Sequence, residues 1–192
     1  EYEKAPMFTC FEPYFTELEG KTWGIIGLGN IGRKVAQIAS VFGCRVIFYS
    51  ASGNNNTTEY ERVDFDTLLA QSDIISLHCP LTDRTQNIMN ADAFARMKKT
   101  AILINVARGP VVDEQALYEA LTTGEIAAAG LDVLNKEPIA SDNPLAQIKD
   151  STKLFITPHM AWGSNEARTS CAKEVYLNIK SFLAGEERKV VV

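Results

Sequence analysis

The stretch Trp23–Ser50, WGIIGLGNIGRKVAQIASVFGCRVIFYS, decides the fold. It reads as a short apolar strand, a glycine-rich turn, a helix and a second apolar strand. Gly27, Gly29 and Gly32 stand in G-x-G-x-x-G spacing between that first strand and the helix. Each glycine has a physical task in such a turn. Gly27 permits the tight bend, Gly29 lets a pyrophosphate approach the backbone, and Gly32 lets helix and strand pack closely. The N–H groups of Asn30 and Ile31 then meet the phosphates at the positive end of the helix. The bare spacing says little alone; its place between strand and helix is what predicts a dinucleotide.

The last residue of the stretch bears on which dinucleotide. An acidic side chain is expected about 20 residues beyond the glycines, where it accepts hydrogen bonds from the adenosine ribose. Ser50 holds that place, with no carboxylate beside it. A serine keeps a weaker hydrogen-bonding group and removes the repulsion of a 2′-phosphate. Selection of NADP also calls for a cation, and YSASGNNN offers none before Arg62. The expected cofactor is NAD, or either dinucleotide with relaxed preference; NADP is permitted but not recruited.

Working outward, a strand–helix alternation continues along the chain. Apolar runs read as buried strands at 22–26, 45–49, 73–77, 101–106, 127–133 and 154–156, with helical patterns at 31–42, 65–70, 91–97 and 113–122. Gly43 and Gly124 read as helix stops and Asp113 as an N-cap. Strands without polar alternation are buried on both faces, which predicts an α/β fold with a doubly wound parallel sheet of Rossmann type. A last helix from Asn165 to about Leu183 carries Ala172, Val175, Tyr176, Ile179, Phe182 and Leu183 at helical spacing. The polar segment Ala51–Arg62 is the one loop long enough to be mobile. The expected organisation is an arm over 1–19, a dinucleotide-binding domain over 20–163, and a terminal helix over 164–192.

Composition narrows the classes of function. The chain has 192 residues and a net charge of −5, which argues against a nucleic-acid binder with a basic footprint. It has no apolar run of membrane-spanning length and no leader pattern, so neither a membrane partner nor secretion is expected. Cys10, Cys44, Cys79 and Cys171 lie far apart, which suits neither a zinc site nor a disulfide framework. Reduced thiols, a cytoplasmic location and no metal are expected.

Outside the glycine turn, three groups are suited to chemistry on a small acid. Arg108, in INVARGPVVDE, follows a buried strand at the end where open α/β sheets place ligands, and a guanidinium there binds a carboxylate through paired hydrogen bonds. Glu137 stands in LDVLNKEP, five residues after Asp132 at another strand end. His159, in FITPHMAWG, follows the last strand and is one of only two histidines, so candidates for a near-neutral proton donor are few. The other, His78 in SLHCP, reads as part of a cofactor wall. A hydride transfer would use Arg108 to hold the carboxylate and His159 to give the proton. Glu137 would keep His159 protonated.

From roughly Leu18 onward, these segments resemble the D-isomer-specific 2-hydroxyacid dehydrogenases. The resemblance is carried by ELEGKTWGIIGLGNIGRKVA, SDIISLHCPLTDRT, LINVARGPVVDEQAL, AAAGLDVLNKEP and TPHMAW, in that order. It implies substrate orientation by Arg108 and a proton relay of Glu137 and His159. It also implies cofactor contacts from Asn30, Ile31, Cys79, Pro80, Thr85, Val106 and Ala107, with Asp132 at the nicotinamide amide. Arg108, His159 and Ala161 are expected to border the cofactor as well. TPHMAW looks most like the glycerate dehydrogenase and hydroxypyruvate reductase branch. The implied substrate is a small 2-keto or D-2-hydroxy acid, and the implied assembly is a homodimer. Members begin with a substrate-binding segment that is absent here, so the chain is expected to bind the dinucleotide but turn over substrate weakly.

Rival readings are a non-catalytic NAD(H)-sensing protein and a related phosphite or formate dehydrogenase. A sensor would not need the relay, and a formate enzyme of this kind would carry Gln in place of Glu137.

Overall fold

The computed structural model describes residues 15–54, 57 and 59–188. Most of the expected N-terminal arm, Cys10 and part of the 51–62 loop lie outside the described residues. The elements are β1 (Thr22–Ile26), α1 (Asn30–Val41), β2 (Arg45–Tyr49), β3 (Glu61–Arg62), α2 (Phe65–Gln71) and β4 (Ile74–Leu77). They continue with α3 (Ala91–Arg96), β5 (Ile102–Asn105), α4 (Glu114–Thr123), β6 (Ala128–Leu131), β7 (Leu154–Ile156) and α5 (Asn165–Leu183). All strand pairs are parallel, in one seven-stranded sheet of order β3-β2-β1-β4-β5-β6-β7. The order reverses at β1, which places the topological switch point between β1 and β4, where a doubly wound sheet opens its ligand crevice.

Alternate side chains of β1 and β2 enter opposite layers. Ile26 and Ile47 join the larger core with Leu68, Leu69, Phe94, Leu117 and Leu121 of α2, α3 and α4. Ile25, Val46 and Phe48 join Ala36 and Ala39 of α1 in a second cluster on the other face. The buried face of α1 is Gly32, Ala36 and Ala39, small residues that let its axis lie close to the sheet. The helix ends follow local chemistry. Asp113 accepts from the N–H groups of Gln115 and Ala116, both at 3.0 Å, and Gly124 closes α4 with φ 77°. Asp64, Asn90 and Ser164 cap α2, α3 and α5 in the same way.

Two features differ from the sequence reading. The edge strand β3 pairs Glu61 and Arg62 with Ile47 and Phe48, and two polar residues carry no period to announce it. Short 3-10 turns at Gly109–Val111 and Pro144–Gln147 also went unanticipated. The helix α5 spans the expected residues, yet it buries none of them. No helix among the described residues is long and apolar enough to cross a membrane.

A polar chain runs through the centre of the sheet. The indole N–H of Trp23 donates to Ser76 Oγ at 2.9 Å, and Ser76 Oγ lies 3.1 Å from His78 Nε2. His78 Nδ1 is buried and has no partner among the described residues. Burial disfavours the charged ring and pushes its pKa from 6.5 down to about 4. The unfolded chain therefore takes up a proton that the folded chain refuses. Stability should fall as pH drops from about 6.5 towards 4, by up to roughly 3 kcal/mol from this group. Urea midpoints measured across that range should show the decline, and His78→Asn should flatten it; an unchanged slope in the variant would contradict the assignment.

Candidate functional site

The carboxyl ends of β1, β2 and β4 enclose a cleft of about 540 Å³ floored by the glycine turn. Gly27 has φ 95°, and a side chain on it would come within 2.7 Å of the Cys79 backbone nitrogen and 2.8 Å of the His78 carbonyl carbon. Gly32 is equally constrained, because a Cβ there would run into the Gly27 carbonyl oxygen. Gly29 differs from both. Its φ of −84° is open to any residue, and a Cβ would meet nothing within 4 Å. That empty space lies at the start of α1, beside exposed Asn30 and Ile31, where first-turn N–H groups have no intrahelical acceptor. An anion fits there, and the cleft volume suits part of a dinucleotide.

One wall of the cleft is the turn after β2. Ser50 is buried and its Oγ lies 3.4 Å from Ser52 Oγ. The facing wall is the segment after β4, with His78, Cys79 and Pro80. Burial raises the Cys79 thiol to about 11, so it faces the cleft as a neutral apolar group. Thr85 is buried in the structure of its own turn. Its hydroxyl donates to Pro80 O at 2.6 Å and accepts from Thr82 N at 2.8 Å.

The next strand along the sheet, β5, delivers Arg108. Asn105, its last residue, is almost fully buried and ties the following turn at two points. Its Oδ1 accepts from Ala107 N at 3.0 Å and its Nδ2 donates to Arg108 O at 3.0 Å. Val106 is half-buried, Ala107 is buried, and the exposed Arg108 guanidinium donates to Ala107 O at 2.7 Å. Gly109 lies so close to the Leu134 carbonyl and the Asn135 nitrogen that a Cβ has no room. The Arg108 turn therefore rests backbone against backbone on the segment that leads to Glu137.

Strands β6 and β7 bring Glu137 and His159 together across 22 residues of chain, with Glu137 Oε2 at 2.7 Å from His159 Nδ1. The other oxygen, Oε1, accepts from Leu134 N at 2.9 Å. The Leu134 N–H first, and the bond to His159 second, hold the Glu137 carboxyl below its ordinary value, so it stays ionised. His159 itself has φ 51°, a left-handed conformation that few non-glycine residues adopt. Asp132 supports it. This buried carboxylate, expected at the nicotinamide amide, accepts from Thr157 Oγ1 at 2.5 Å, Met160 N at 2.8 Å and Ala161 N at 2.9 Å. Burial pushes its pKa up, but the bonds from Thr157, Ala161 and Met160 outweigh burial and leave it lowered. A second cleft of about 500 Å³ opens beside the pair, lined by Glu137, His159 and apolar groups including Leu134, Ile139 and Ile156.

The structure thus gathers the Glu137–His159 pair directly and sets Arg108 one strand away. The sequence reading missed Asn105, Gly109 and Thr157, which hold these side chains in place. The one local signal was a polar residue ending an apolar strand, as Asn105 does.

The three glycines give a clean separation of folding from binding. Gly32→Ala should destabilise the chain by roughly 1–3 kcal/mol through overpacking. Gly29→Ala should leave stability within about 0.5 kcal/mol while sharply weakening dinucleotide binding. Thermal melts and a fluorescence titration with NADH on both variants check this; unimpaired binding by Gly29→Ala would contradict the cradle.

Known proteins resemble this chain. The family described as D-isomer specific 2-hydroxyacid dehydrogenase, NAD binding domain, matches residues 9–161. The hydroxypyruvate reductase of Blautia hydrogenotrophica is 43% identical over 196 aligned positions, covering 100% of this chain and 59% of the relative. The glycerate dehydrogenase of Methylorubrum extorquens is 39% identical over 191 positions, with 100% and 59% covered. Among solved structures, an acyclic imino acid reductase in complex with NADPH and D-Arg superposes with a TM-score of 0.86 at 38% identity, over 97% of this chain and 59% of that one. The chain thus spans about 59% of the length of these curated relatives. It belongs to the D-isomer-specific 2-hydroxyacid dehydrogenases, and what it folds into is their NAD-binding domain.

Proposed function

We propose that the enzyme carrying this domain reduces a small 2-keto acid to its D-2-hydroxy acid, and runs the reverse oxidation, with a nicotinamide dinucleotide. The observation that carries the proposal is the 2.7 Å contact between Glu137 and His159 at the carboxyl edge of a dinucleotide-binding sheet. A nicotinamide dinucleotide held at the glycine turn would supply the hydride. The chain's own residues do the rest. Arg108 holds the substrate carboxylate by paired, charge-assisted hydrogen bonds. His159 delivers a proton from Nε2 to the forming alkoxide, because Nδ1 is engaged by Glu137. Glu137, kept ionised by the Leu134 N–H, stabilises the protonated ring that can make the delivery. Asp132 holds the His159 turn in its left-handed conformation.

The glycine turn, Asn30, Ile31 and the Ser50 wall take the dinucleotide, with the boundary of that domain at about residues 20 and 163. Hydroxypyruvate is the favoured substrate, a choice supported by the hydroxypyruvate reductase and glycerate dehydrogenase relatives. Free Cys44, Cys79 and Cys171 suit a reducing cytoplasm. The exposed stripe of Ile31, Ile38, Val41 and Phe42 along α1 supports pairing with a second copy of the chain.

A spectrophotometric screen of the full-length enzyme carrying this domain, with NADH and NADPH against glyoxylate, hydroxypyruvate and pyruvate, tests the reading, and silence with all three 2-keto acids would end it. Glu137→Gln should move the alkaline limb of the reduction profile to lower pH, because the charge facing the ring is gone. An unmoved pH–rate profile would return Glu137 to an ordinary loop residue. Arg108→Ala should raise KM for the keto acid by a large factor while leaving the dissociation constant for NADH within about twofold.

A further inference from the structure

The dinucleotide cleft has a neutral wall where a charged one is expected. Ser50, Ala51 and Ser52 line it with two hydroxyls 3.4 Å apart and no carboxylate. The facing wall is the turn Thr82–Thr85, and there the cleft meets two side chains of full charge, Asp83 and Arg84. His78, the remaining titratable lining group besides the neutral Cys79, stays neutral above about pH 4.

This turn is stiff. Thr85 N donates to Thr82 O at 3.0 Å and Gln86 N donates to Thr82 O at 2.9 Å. The Thr85 hydroxyl closes it from below through Pro80 O and Thr82 N. Arg84 is therefore displayed from a fixed backbone at the mouth of the cleft. Both Asp83 and Arg84 are exposed, and neither forms an ion pair among the described residues. Their reach differs. Asp83 carries its charge one carbon beyond Cβ, whereas a guanidinium rides on a three-carbon stem and crosses several ångströms of open cleft. Arg33 on α1 is already bound to Glu59 at 3.0 Å and Thr57 at 3.3 Å.

We infer that Arg84 is a cofactor-discriminating residue, reaching across the cleft to the 2′-phosphate of NADPH while Ser50 and Ser52 offer hydroxyl donors from the other side. The inference rests on the dinucleotide reading of the cleft and adds to it which phosphate is recognised and from where. A 2′-phosphate needs a cation, hydrogen-bond donors and no facing carboxylate. The turn after β2 meets the last two conditions and lacks the cation, which arrives from the turn after β4. The enzyme accordingly accepts NADPH at the site where it accepts NADH.

Equilibrium titration of the chain with NADH and with NADPH, followed by ligand fluorescence, is the test. Arg84→Gln should raise the dissociation constant for NADPH by roughly tenfold and leave that for NADH unchanged. Rising salt should weaken NADPH more than NADH in the unaltered chain, and this difference should shrink in the variant. Competition by 2′,5′-ADP should weaken by a similar factor in Arg84→Gln while competition by 5′-AMP is unchanged. Equal weakening of both dinucleotides would mean that Arg84 stacks on the adenine, and no change in either would mean that it faces solvent; both results overturn the inference while the dinucleotide site stands. Failure of the unaltered chain to bind NADH at all would overturn the dinucleotide reading, and this inference with it.

Discussion

Hydrogen bonding between parallel strands is the constraint on which everything else rests. Every strand pair in the sheet runs the same way, so every segment leaving a strand's carboxyl end emerges on one edge. The glycine turn, Ser50, His78, Arg108, Asp132 and His159 are far apart in sequence and all follow a strand end. Their order along that edge is the strand order, not the chain order. β2 and β1 supply the neutral wall and the glycine turn, β4 the opposite wall, β5 the Arg108 guanidinium, and β6 with β7 the Glu137–His159 pair. With neighbouring strands about 4.8 Å apart, the edge is a ruler on which an extended ligand can be laid.

Local devices then turn an edge into a site. Asn105 and Asp132 play matching parts one strand apart. Each is a buried polar residue at a strand's end, and each spends its hydrogen-bonding capacity on the backbone of a turn that carries a working side chain. Leaving such a group without partners would be costly, so the turn is held as firmly as the group is satisfied. His159 is the clearest case. Its left-handed φ is unfavourable alone and persists because Asp132 secures Met160 and Ala161 just beyond it, and Thr157 just before it.

Much of this was legible in the chain itself. The bounds of β1, β2 and β7 follow from apolar runs, and α5 from helical spacing, because burial on both faces leaves an unbroken hydrophobic signature. Asp113 and Gly124 were readable as caps because their task is local. The features that escaped depend on distant partners. Asp132 anchors groups 25 to 29 residues away, and no spacing rule links an aspartate to the amides it will meet. Gly109 looked like part of a loop motif until Leu134 was seen pressed against it. β3 is two polar residues with no period at all, added to the sheet's edge by the register of β2. Arg84 stands in the turn after β4 while Ser50 and Ser52 stand in the turn after β2, and no spacing rule joins two turns that only the cleft brings face to face.

The contact between Gly109 and Leu134 has a mechanical meaning. No side chain fits between those two backbones, so the turn bearing Arg108 and the segment bearing Glu137 cannot slide past each other without breaking the packing of both. Leu134 N also grips Glu137, so the linkage continues to the carboxylate and through it to His159. The three side chains therefore travel as one body. A displacement of any one of the three turns would have to carry the other two with it.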